Sequence, residues 1–158
     1  MAAIRVHRSG QSTRTWRFFF TVAGAYNLLM GATVIARPNI VFNFCGAPPL
    51  NYPSVMQGLA MVIGLYGLGY LHIARRPHEG EMLAFIGLLG RIGGPIAWAF
   101  AVRAHELPLS SLPFIIINDL LWIPGFLEYL SWAHTLPRPA ECQTARLPRA
   151  CTVSIYER

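Results

Sequence analysis

Apolar positions along this chain fall into four long blocks, not into the short alternating patches of a soluble domain. From Phe18 to Ala36, and again from Pro38 to Ala74, no Asp, Glu, Lys or Arg interrupts the run. Two further blocks follow, the third carrying Arg91 in its middle and the fourth carrying Asn118-Asp119. A helix needs about 20 residues, at about 1.5 Å rise each, to cross about 30 Å of hydrocarbon. Four segments meet that length: Trp16 to Ala36, Pro53 to Ala74, Met82 to Val102 and Leu112 to Ala133. In lipid every backbone polar group must be satisfied within the protein, and these blocks lack the alternation of a barrel strand. The pattern therefore predicts an all-α polytopic membrane protein, an antiparallel bundle of four transmembrane helices joined mostly by short connections.

Composition agrees. Of 158 residues, 54% are hydrophobic and 13% charged, against about 25% charged in ordinary soluble domains. Residues 1–15 read as a polar leader that is partly disordered, 16–133 as the transmembrane domain, and 134–158 as a flexible tail too poor in apolar surface to order itself. All thirteen basic residues are arginine. Arg5, Arg8, Arg14 and Arg17 precede the first block, Arg75 and Arg76 follow the second, and Arg138, Arg146 and Arg149 follow the fourth. Only Arg37 and Arg103 stand at the opposite ends. By the positive-inside bias both termini are cytoplasmic. The net charge of +6 is thereby accounted for by topology, with anionic lipid headgroups as the partner of the arginines and no call for nucleic acid. The first block is longer than a signal-peptide core and runs into Arg37-Pro38-Asn39, so it is expected to stay in the mature protein. Cys45 falls on the outer side, Cys142 and Cys151 on the inner, so no structural disulfide is expected.

The connection from Pro38 to Tyr52 is too apolar for a loop in water. A short helix over Asn39 to Phe44, followed by the Pro48-Pro49 turn, would lay it in the interface or over the bundle mouth. Small residues that allow close helix approach recur: Gly24 and Gly31, then Ala60, Gly64 and Gly67, then Gly87, Gly90, Gly93 and Gly94, the last group containing a Gly90-xxx-Gly94 pair.

A charge at bilayer depth costs on the order of 3 kcal/mol, so it persists when it faces a partner or cavity. Arg91 shares a helix face with Gly87 and Gly94, and Asp119 with Trp122 and Phe126. Helix rise puts Asp119 about 5 Å nearer the outer side than Arg91, within an arginine's reach. Asn118, Asn27 and Gln57 are expected in the same polar core. Pro95 and Pro124 each remove a ladder bond, from the carbonyls of Arg91 and Leu120, and favour kinks there. A carboxylate beside an arginine suits an ion-paired clamp, or a binder of anionic groups, better than a proton relay. A second, shallower polar layer is expected from His72, Glu128, Tyr70 and Tyr129. The five histidines show no metal-ligand spacing, and no phosphate-loop, dinucleotide or serine-hydrolase fingerprint is present, so neither a metal nor a cofactor is expected.

Tyr26-Asn27, Gly67-x-Gly69-Tyr70, Leu88-Leu89-Gly90-Arg91 with Gly94-Pro95, and Asn118-Asp119-Leu120-x-Trp122-x-Pro124 together resemble a group of small bacterial four-helix inner-membrane proteins that remain uncharacterised. The likeness spans Trp16 to Ala133 and departs from the group at Arg91, where Lys is favoured, and at Pro124-Gly125-Phe126, where Pro-Phe is. The resemblance implies a bacterial inner-membrane location and this topology. Some members carry an alkyl hydroperoxide reductase label, a chemistry that would call for a soluble thioredoxin-like fold with a low-pKa cysteine. A looser likeness in architecture extends to DoxX-like and sterol-isomerase-like membrane folds.

The reading favoured by these features is a non-enzymatic accessory, assembly or small-ligand-binding subunit. Four helices are few for a self-contained pore, so a homo-oligomer or a larger membrane complex is expected. A small solute or ion transporter, and a lipid-modifying or isomerising enzyme using Glu128, His72 or Asp119, are the alternatives.

Overall fold

The computed structural model describes the backbone of residues 3–135 and the side chains from residue 13 onward. It is all-helical among those residues, and four of its helical segments are long and apolar enough to cross a membrane: Thr13–Ala36, Pro53–Arg75, Glu81–Arg103 and Leu109–His134. The protein is a multi-pass membrane protein built as a four-helix bundle. Most of the tail at 134–158, with Cys142 and Cys151, lies outside the described residues.

Helix α1 (Ala3–Ala36) begins well before the first apolar block. From Ala3 onward the polar leader expected to be partly disordered is helical and continuous with the first span, in keeping with a stretch that holds no proline. Helix α2 (Ile40–Cys45) is the short helix expected in the first connection, closed by Gly46 in the left-handed region at φ 71°. Helix α3 (Pro53–Arg75) starts on a proline, whose missing N–H costs nothing at that position. Helix α4 (Glu81–Arg103) runs without interruption through Pro95.

The fourth span departs from the continuous helix expected over Leu112 to Ala133. A 3-10 turn (Leu109–Ser111) leads into α5 (Leu112–Ile115), a π turn follows at Ile116–Leu120, and α6 (Ile123–His134) completes the crossing. Pro124 lies in the first turn of α6, so it starts a helix and does not kink one.

Packing divides the bundle into two pairs. α1 lies against α3, and α4 against α6 and the π turn. The α1–α3 seam is made of backbone: a methyl group on Gly24 would stand 2.8 Å from the Gly67 carbonyl oxygen, and one on Gly31 would stand 2.8 Å from that of Ala60. Where lipid supplies no hydrophobic drive, such proximity gains dispersion contact that side chains would prevent. Gly90 and Gly93 do not share this role, since a methyl on either meets nothing within 4 Å. The expected Gly90-xxx-Gly94 packing pair is thus absent, and only Gly94 faces a neighbour, the Asp119 carboxylate.

At the end where α1 enters its span and α6 finishes, aromatic side chains from α1, α3 and α6 fill the centre. Phe20, Tyr70, Phe126 and Tyr129 are almost wholly buried, and their rings meet mostly edge to face, Phe20 and Tyr129 at 4.7 Å between centroids. At the opposite end the Ser110 hydroxyl donates to the Cys45 carbonyl at 2.8 Å, tying α2 to the 3-10 turn, and the Trp98 indole N–H donates to Ser111 Oγ at 2.7 Å. Outward faces carry Phe18, Leu29, Phe100 and Leu121. Within the chain only 33% of the first span and 17% of each other span is buried, so most of the lateral surface is left for lipid or for other subunits.

Candidate functional site

The π turn builds the site. In an α ladder the N–H groups of Leu121 and Trp122 would bond the carbonyls of Ile117 and Asn118. Here Leu121 N–H reaches the Ile116 carbonyl at 2.9 Å, and Trp122 N–H reaches that of Asp119 at 3.1 Å. The carbonyls of Ile117 and Asn118 are left to other donors, and a carbonyl without a partner in lipid is expensive. The Trp122 indole N–H takes the first at 3.1 Å, and Arg91 Nη1 takes the second. Loosening of one turn thus creates the acceptor that a guanidinium needs at this depth.

Arg91 uses its fork on both sides. Nη2 donates to Asn27 Oδ1 at 2.8 Å, and Nη1 lies 3.4 Å from Asp119 Oδ1, an ion pair at the long limit of a hydrogen bond. Asn118 Nδ2 donates to the same Asp119 oxygen at 3.0 Å, and the Tyr26 hydroxyl donates to Asn118 Oδ1 at 3.2 Å. The guanidinium also stands over the Trp122 ring, 5.7 Å from its centroid, within cation–π range. Asn27, Arg91 and Asp119 are 5%, 6% and 7% exposed, so these groups are enclosed by the protein. One positive and one negative charge enclosed together leave no net charge, which is what makes such burial tolerable.

Of the five residues expected in the polar core, Arg91, Asp119, Asn118 and Asn27 converge and Gln57 does not. Gln57 Nε2 donates to the Ile35 carbonyl at 2.9 Å, satisfying an acceptor in the last turn of α1. Gln57 lies one turn from the start of α3, level with Ile35 and about 12 Å outward of Asn27 by helix rise, so it is too shallow to reach the core. The second polar layer also comes apart. Tyr70 and Tyr129 belong to the aromatic centre, the latter donating to the Pro77 carbonyl at 2.7 Å, whereas His72 and Glu128 are exposed. Tyr26 joins the site without having been singled out for it. Its signal in the sequence was adjacency to Asn27, but a half-buried tyrosine among apolar residues has many ordinary explanations.

The arrangement is a closed clamp: α1 contributes Tyr26 and Asn27, α4 contributes Arg91, and the broken fourth span contributes Asn118, Asp119 and Trp122. No protein-family model, curated protein or solved structure matches this chain.

Proposed function

We propose that this protein is a non-enzymatic accessory or assembly subunit of the bacterial inner membrane, working as a homo-oligomer or within a larger complex, with both termini in the cytoplasm. The observation that carries the reading is the Arg91 network. Five hydrogen bonds tie its members to one another across three of the four spans, the pattern of a device that fixes helix arrangement. The large lateral surface left unburied in each span supports an assembled state. Small residues at Gly24, Gly31 and Gly67 are used up inside the chain, so partners would meet the bulkier outer faces.

The test compares native-membrane abundance and partner recovery for Arg91→Gln and Asp119→Asn. Both should fall together, and normal abundance and assembly of both variants would remove the proposal. Liposome flux of ions or solutes that disappears in the same variants would replace it with a transporter reading.

A further inference from the structure

A groove of about 500 Å³ opens between α1 and α3 at the end of the bundle where α3 finishes. Arg17 and Thr21 of α1, and Leu71, Ala74 and Arg75 of α3, line it. The helices are antiparallel, so Arg17, near the start of the first span, and Arg75, the last residue of the second, reach the same depth. Both arginines are exposed, and the Thr21 hydroxyl donates to the Arg17 carbonyl at 2.7 Å within the turn between them. Among the described residues, Glu79 pairs with Arg76 at 3.2 Å and Glu81 with His134 at 3.0 Å, away from the groove. Glu128 is exposed on α6 and does not line the groove.

Two guanidinium forks at a membrane boundary match the oxygens of a phosphate group, which arginine binds in paired, charge-assisted hydrogen bonds. The floor beneath them is apolar, made by Leu71 and Ala74, and along α3 it continues into Leu68, 55% exposed. A free phosphate would have no use for that floor, whereas an acyl chain would. We propose that the groove holds one anionic glycerophospholipid, its phosphate between Arg17 and Arg75 and an acyl chain along Leu71 and Leu68. The site goes beyond the assembly role and is independent of the Arg91 network.

Native mass spectrometry of the full chain in detergent, titrated with phosphatidylglycerol, tests it. The wild type should retain one phosphatidylglycerol per chain in preference to phosphatidylcholine. The Arg17→Gln/Arg75→Gln pair should bind it about thirtyfold more weakly, with an unchanged thermal midpoint in lipid-free detergent because both side chains are exposed. Arg14→Gln, at the same end but outside the groove, should bind as the wild type does. Undiminished binding by the glutamine pair, equal loss in Arg14→Gln, or equal retention of phosphatidylcholine would overturn the proposal. Inorganic phosphate displacing the lipid at matched concentration would also overturn it, in favour of a free-anion site.

Discussion

Arg91 of α4 and Asn27 of α1 are joined by a 2.8 Å hydrogen bond between side chains that are 6% and 5% exposed. α1 packs chiefly on α3, and α4 on α6 and the π turn, so this bond adds a polar link between two halves that also meet where Gly69 faces Leu83 and Gly87 faces Tyr70. Replacing Asn27 with Leu leaves a buried N–H of the guanidinium without an acceptor, a loss of about 1–3 kcal/mol. Thermal unfolding in detergent should show that loss in the wild-type background and little of it in Arg91→Gln, where the donor is already gone.

The two glycine classes make opposite predictions. Gly24→Ala and Gly31→Ala each drive a methyl to 2.8 Å from a carbonyl oxygen of α3 and should lower thermal stability and membrane abundance. Gly90→Ala and Gly93→Ala enter open space and gain up to about 1 kcal/mol of helix propensity, so they should be neutral or stabilising.

Trp122 serves the site twice, as donor to the Ile117 carbonyl and as the ring beneath Arg91. Trp122→Phe keeps a ring and removes the donor, and should cost about 1 kcal/mol. Trp122→Leu removes both and should cost more. Equal unfolding midpoints for the two variants would show that the ring contributes nothing to holding the cation.

Cys45 is buried in α2, between the first two spans, and burial pushes its thiol pKa up. Thiol-reactive labelling of Cys45 in a Cys142→Ser/Cys151→Ser background should be slow near neutral pH and rise only under alkaline conditions or on unfolding. The neutral thiol is the form the fold favours. Its stabilising share is therefore complete below the thiol's unfolded pKa and is lost as pH rises through the higher folded value.

The four crossings were legible because uncharged runs of such length leave few alternatives, and the Arg91–Asp119 partnership because two opposite charges at similar depth have no better neighbours. What periodicity could not show was rotation and register. Gln57 was expected at the depth of the core, yet the register of α3 on α1 sets it level with Ile35, eight residues along α1 from Asn27. His72 and Glu128 share a level with Tyr70 and Tyr129 in the sequence, yet end on the outside of the helices whose inside holds the tyrosines. Gly90 and Gly94 form a spacing that packing could use, but only Gly94 meets a neighbour. The π turn left no mark in the pattern either: Pro124 suggested a break at Leu120, while the ladder had already slipped at Ile116. A single added residue within an apolar run changes hydrogen bonding without changing hydropathy.

A double-mutant cycle between Arg91 and Asp119, read as unfolding free energy of the purified protein in detergent, tests the clamp most directly. Each single change, Arg91→Gln or Asp119→Asn, strips a buried ionic group of its counterpart and should cost about 2 kcal/mol or more. The double variant should lose clearly less than the sum of the two. Strict additivity would mean that the two side chains do not act on each other, and would contradict the account.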